Sequence, residues 1–345
     1  MRYAIAIVPA FVLGAAAVFG WNAWHRSTPV SGVPARVAAA PESSSTAANI
    51  AESRSAEAPP ALLSDQGWPA DGPTPEQVMV AQPDLLGREI AQLKPRTPGR
   101  VNLYAIVFAG DGSENVFRNE AEYFDKLFTQ RFHETGHVVV LENNPASLTT
   151  RPLADCSNLE SALDAIAAKM DPQQDILLLY LTTHGSEDHT LLVDMDPLPL
   201  DQIGARDLPG ILGEHPFKYK VVIVNACYSG GFIPPLRGPG TMIITAARAD
   251  RSSFGCGEQS QLTWFGHAFL VDALNRTGEF DQAFQVARKD VAQWEKRDGY
   301  TPSEPQINIG AGIRAPLSAW EKQNPPGPEV SFATAPRSTA GSRVH

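Results

Sequence analysis

Val221-Val222-Ile223-Val224-Asn225-Ala226-Cys227-Tyr228-Ser229-Gly230-Gly231 decides the reading of this chain. A β-branched apolar run stops at a cysteine, and two glycines follow within four residues. The pattern describes a buried strand that presents a thiol on a tight turn at its carboxyl end. A second stretch, Ile176-Leu177-Leu178-Leu179-Tyr180-Leu181-Thr182-Thr183-His184-Gly185-Ser186, has the same design but ends in a histidine and a glycine. In an open, mostly parallel α/β sheet, ligands and chemistry gather outside the carboxyl ends of the strands. If the two strands are neighbours, Cys227 and His184 face one cleft. A thiol and an imidazole so placed are a nucleophile and a general base.

Similar strands flank these two. Val101 to Gly110 and Val138 to Leu141 precede them, and Met242 to Ala246 follows. Between the strands, Phe117 to Phe132 carries apolar residues at helical spacing, and Leu159 to Met170 reads as a helix capped by Ser157 or Asn158. Further helices are expected near Leu200 to Leu212, over Trp264 to Leu274 and over Asp281 to Trp294. Alternating strands and helices imply an α/β fold, with a mostly parallel sheet covered by helices on both faces. No internal repeat is present.

The amino-terminal part has a different character. From Tyr3 to Trp24 the chain carries no charge, and Arg2 and His25-Arg26 flank the stretch. It is long enough to span a bilayer, and Trp21 and Trp24 suit the interfacial belt. A cleaved signal peptide is the competing reading, but its apolar region is shorter and ends at small residues. Residues 1–26 are therefore expected to be a transmembrane anchor. Residues 27–73, rich in Pro, Ala, Ser and Gly, are expected to be a disordered linker spanning roughly 35–40 Å. Within the domain expected over 74–320, Leu85 to Leu93 suggests a short leading helix. Residues 321–345 are expected to form a disordered tail. This arrangement places the catalytic domain outside the cytoplasm, in the periplasm if the source is bacterial.

The net charge of −10 disfavours nucleic acid as a partner, because phosphate binding needs a basic footprint. Among the three cysteines, Cys156, Cys227 and Cys256, an odd count leaves at least one thiol unpaired, and a Cys156–Cys256 disulfide stays open. His133-Glu134-Thr135-Gly136-His137 satisfies the HExxH zinc pattern on paper. That chemistry needs both histidines on one helix face. Gly136 and the strand that starts at Val138 stop the helix instead, so no metal is assigned here. His184, Asp188 and His189 also suggest a metal site, but three such residues in a loop are more often simply solvated. His189 receives no role.

Thr183-His184-Gly185-Ser186, Asn225-Ala226-Cys227-Tyr228-Ser229-Gly230 and Thr245-Ala246-Ala247-Arg248-Ala249-Asp250-Arg251-Ser252-Ser253-Phe254-Gly255-Cys256 resemble, in this order, motifs of the legumain family of cysteine peptidases. The resemblance runs from about Tyr104 to Leu274. It implies a caspase-like fold, a peptide or protein substrate and no cofactor. By position it makes Cys227 the nucleophile and His184 its base, with the backbone amides of Gly185 and Cys227 as the oxyanion hole. It puts Arg118 in the primary specificity pocket, and Ser252 and Ser253 on the edge that receives substrate backbone. It also shows departures. Asparaginyl endopeptidases of the family have an acid after the nucleophile, where this chain has Tyr228, and a second pocket acid falls near Thr263. Glu258, if the fold brings it into the pocket, would restore a preference for asparagine. The asparagine that steers the family's histidine falls near Val116, beside Asn115. Endopeptidase chemistry is therefore expected without selection for asparagine. The alternatives are a transpeptidase, in which an amine replaces water, and an inactive tethered binding domain.

Overall fold

The computed structural model describes residues 67–257 and 260–332. The expected anchor and most of the expected linker lie outside the described residues. Among the described residues, no helix is long and apolar enough to cross a membrane.

The chain enters on helix α1 (Pro75–Ala91) and runs through β1 (Leu103–Ala109), α2 (Asn115–Gln130), β2 (Val138–Glu142), α3 (Cys156–Ala167) and β3 (Ile176–Thr182). A small hairpin of β4 (Thr190–Leu191) and β5 (Ile203–Gly204) leads to α4 (Leu208–Gly213) and β6 (Tyr219–Asn225). A 3-10 turn over Ser229–Phe232 continues into α5 (Ile233–Leu236), then β7 (Thr241–Thr245). Helix α6 (Trp264–Gly266) passes into π-helical turns over His267–Ala273, and α7 (Phe280–Asp298), β8 (Gln306–Ile309) and α8 (Arg314–Gln323) complete the order.

Six strands form one sheet in the order β2-β1-β3-β6-β7-β8, parallel except for β8. Every residue of β1, β2 and β3 is buried, which explains their continuous apolar runs. Alternate side chains enter opposite cores. Leu103, Ala105 and Val107 join the core beneath α2, α7 and α8, while Tyr104, Ile106 and Phe108 join the core beneath α1, α3, α4 and α5. β3 and β6 are neighbours in register, with Thr182 opposite Asn225 at their carboxyl ends. The loops carrying His184 and Cys227 therefore leave the sheet side by side.

Several elements differ from the sequence reading. The leading helix starts at Pro75, not Leu85, because Thr74 and Gln77 form a reciprocal capping box. Pro83 lies inside this helix, on its exposed face. Asp155, not Ser157 or Asn158, caps α3 by accepting from the Asn158 amide at 2.8 Å. The helix expected over 200–212 is β5 followed by the short α4. Gln202 replaces a strand partner there, accepting from the Val193 amide at 2.9 Å and donating to the Val193 carbonyl at 2.8 Å. β8 and α8 are additions. Residues 324–332, expected in a disordered tail, lie against the core: Val330 is buried, its carbonyl accepts from Tyr123 at 2.7 Å, and Phe332 packs on the Tyr123 ring.

Candidate active site

The turn after β6 is sharp. Tyr228 adopts a left-handed conformation (φ 56°), which is rare for a bulky residue and marks a strained elbow. Two hydrogen bonds hold it. The Tyr228 amide donates to the Arg251 carbonyl at 2.8 Å, and His189 Nδ1–H donates to the Tyr228 carbonyl at 3.2 Å. A Cβ on Gly231 would lie 2.1 Å from the His189 ring, so only glycine admits that imidazole. His189 therefore supports the turn that carries Cys227, a role invisible in the sequence. The turn after β3 is equally tight, because a Cβ on Gly185 would lie 2.2 Å from the Cys227 carbonyl oxygen. Among the described residues, no acceptor takes the amide proton of Gly185 or Cys227. Two donors thus remain available beside the thiol, as an oxyanion hole requires.

The Cys227 thiol is half-buried and its hydrogen-bond partners all lie on Ser253. The Ser253 amide donates to Sγ at 3.2 Å, and the Ser253 carbonyl and hydroxyl oxygens are each 3.5 Å from it. Ser252 is adjacent, with its hydroxyl 3.5 Å from the Tyr228 hydroxyl, which donates to Glu187 at 3.3 Å. The structure thus gathers Cys227, Tyr228, Ser252 and Ser253 in one cluster.

His184 turns Nε2 toward two carboxylates, Asp111 at 3.5 Å and Glu114 at 3.6 Å, and meets the Phe117 ring edge-on. Asp111 is 1% exposed, and its Oδ2 takes no hydrogen bond among the described residues. Nε2 faces the two carboxylates, so Nδ1 is the ring nitrogen left on the other side. No hydrogen bond joins His184 to the thiol; such bonds commonly close only with substrate bound. The expected steering asparagine is absent from this contact. Asn115 instead accepts from Asn144 at 3.1 Å, and Val116 is a core residue.

Arg118, in the first turn of α2, faces Glu142 at the end of β2, with Nε 3.6 Å from Oε1. Burial pushes the Glu142 carboxyl up to about 7, against the pull of the Arg118 and Arg151 cations. Glu142 had no role in the sequence reading, since an acid closing an apolar run looks like a strand end. Thr263 does not stand in for a pocket acid. Its hydroxyl caps α6 and donates to the buried Glu120 at 2.6 Å. Glu258 lies outside the described residues.

The HExxH segment is a turn: α2 has ended, His133 has φ 61°, Gly136 has φ 85°, and β2 begins at Val138. His137 stacks on Tyr104 and contacts Glu134 at 2.7 Å. The two histidines therefore do not share a helix face. All three cysteines are free thiols, so no Cys156–Cys256 disulfide exists in this state. Burial pushes the Cys156 thiol up to about 11 and the Cys256 thiol up to about 12.

Residues 157–315, a little under half of the chain, match the model of the Peptidase C13 family. The matched segment begins in α3, contains both His184 and Cys227, and ends in α8. No curated protein matches this chain.

Proposed function

We propose, from the premise that this chain is a cysteine peptidase of the C13, or legumain, family, that Cys227 and His184 carry out endopeptidase chemistry through an acyl-enzyme. The observation that supports this best is the adjacency of the two strand-end turns, with the Gly185 and Cys227 amides left without acceptors between them. His184 Nδ1 takes the thiol proton, and Asp111 and Glu114 stabilise the resulting imidazolium from the Nε2 side. The thiolate attacks the peptide carbonyl. The oxyanion accepts from the two free amides, a contribution of roughly 2.7–4 kcal/mol per donor in comparable sites. His184 returns the proton to the leaving amine, and water then hydrolyses the thioester with His184 again as base. Ser252 and Ser253 line the side of the thiol where substrate backbone lies, and Tyr228 and Arg118 contribute to side-chain selection.

Cleavage of a diverse peptide library tests the assignment. Cys227→Ser and His184→Ala should each lower turnover by at least ~10³-fold. Retention of cleavage by either variant would sink it. The uncharged stretch Tyr3 to Trp24 supports a further part of the proposal: a single membrane anchor that holds the peptidase domain outside the cytoplasm on the 27–73 linker.

A further inference from the structure

Glu120 lies on α2 and is fully buried beneath the carboxyl ends of β3 and β6. Its Oε2 accepts from the Tyr180 hydroxyl at 3.0 Å, the Thr182 hydroxyl at 2.7 Å and the Asn225 side-chain amide at 2.7 Å. Its Oε1 accepts from the Thr263 amide at 2.8 Å and the Thr263 hydroxyl at 2.6 Å. The direction of the last bond follows from its surroundings. Thr263 Oγ1 already accepts from Asn225 and from the Gly266 amide, each at 2.9 Å, so its own proton goes to Glu120. The packing is closed as well as polar: a Cβ on Gly266 would lie 2.2 Å from Oε1. Among the described residues, no cation pairs with this carboxylate. Burial raises this carboxyl above its ordinary value, and the hydrogen bonds act against that rise.

A buried carboxylate without a cation is a costly way to fill space, and an apolar side chain would cost less. What the charge collects is informative. Thr182 precedes His184 by two residues, and Asn225 precedes Cys227 by two. Thr263 is where the loop containing Ser253, the thiol's hydrogen-bond partner, re-enters the fold. One carboxylate therefore ties together the three segments that bring base, nucleophile and thiol contact to the cleft. We propose that Glu120 is a positioning residue that sets the separation of His184 and Cys227. This rests on the assignment of those two residues as base and nucleophile.

The test is Glu120→Gln in the full chain, read by the rate of Cys227 alkylation by iodoacetamide, by kcat and KM on a library-selected peptide, and by thermal melting. The amide can match only one half of the all-donor site. Its NH2 must face donors on Oε1 or on Oε2, which turns at least one segment away. The expected result is a roughly 10–100-fold loss in kcat and in alkylation rate, with KM little changed. Wild-type kcat and alkylation rate would overturn the proposal. So would a lowered melting temperature with unchanged kcat at a temperature where the variant is folded, since Glu120 would then serve stability alone. Tyr180→Phe and Thr182→Val each remove one donor from Oε2 and decide the matter if Glu120→Gln does not fold: a partial loss of kcat at constant KM supports the role, and wild-type kcat in both overturns it. Cys227→Ser, run in parallel, separates the two levels. If it still cleaves, the nucleophile assignment fails; if it is inactive while the Glu120 series is unaffected, only the positioning role fails.

Discussion

Replacing Glu142 by Gln should remove a defined piece of the pH dependence of stability. In the folded protein this side chain is inaccessible to solvent and 3.6 Å from Arg118, and burial raises its carboxyl from 4.5 to about 7. The sign follows from proton counting. Between the two values the folded chain keeps a proton that the unfolded chain has released. The contribution is therefore fully present below about 4.5 and is lost as pH rises through about 7. At about 1.4 kcal/mol per pH unit, a rise of this size amounts to about 3 kcal/mol. Glutamine has no proton to lose, so the variant's stability relative to wild type should improve by about 3 kcal/mol between about pH 4 and about pH 8. Other carboxyls with raised values, Glu89, Asp125 and Glu321 among them, titrate in both proteins and cancel in the difference. Urea unfolding at the two pH values measures it. A wild-type-minus-variant difference that does not change with pH would refute the reasoning, because it would place the Glu142 carboxyl at its ordinary value.

Three other outcomes follow from the site. Arg118→Ala should lower turnover of peptides with Asp or Asn before the scissile bond while sparing Cys227 alkylation, and wild-type protein should cleave after Asp at least as well as after Asn; a strong Asn preference, or cleavage unaltered in the variant, would show the pocket to lie elsewhere. Iodoacetamide at neutral pH should label Cys227 first, because Cys156 at about 11 and Cys256 at about 12 keep their protons there, and equal labelling by mass spectrometry would remove the argument for a selective thiol. The full chain should stay with membranes after a carbonate wash, whereas a form starting at residue 27 should be soluble; a mature amino terminus beyond Trp24 would instead show a cleaved signal peptide.

The strands were legible because their burial on both faces leaves unbroken apolar runs, and two of those runs lead into His184 and Cys227, the proposed base and nucleophile. What the sequence hid are the acids. Asp111 and Glu114 sit in a loop that reads as solvated, and nothing in their spacing points to His184. Glu120 did leave a signal. Phe117, Ala121, Phe124, Leu127 and Phe128 define the buried face of α2, and Glu120 lies on that face, where the helical period calls for an apolar residue. A charge at such a position is either paired or hydrogen-bonded in the core. β8 is hard to read because Gln306-Ile307-Asn308-Ile309 alternates polar and apolar over only four residues, all of them half-buried.

The same logic bears on selectivity. An amide side chain before the scissile bond needs an acceptor for its nitrogen as well as a donor for its oxygen. Neither Tyr228 nor Thr263 matches a carboxylate as that acceptor: the Tyr228 hydroxyl oxygen already faces the Ser252 hydroxyl at 3.5 Å, and Thr263 is committed to Glu120. Glu142 is the acid that faces Arg118, and it arrives from β2, not from the nucleophile's own turn. Its charge depends on pH. If Arg118 lines the substrate pocket as proposed, then below about 7 Glu142 is protonated and the arginine is left to pair with an acidic substrate side chain in bidentate fashion, whereas above about 7 the negative charge of Glu142 offsets the arginine and weakens that preference. The ratio of cleavage after Asp to cleavage after Asn should therefore fall as pH rises through about 7, and Glu142→Gln should abolish the change. A ratio that stays flat in wild type would mean that Glu142 holds Arg118 in place without reaching the substrate.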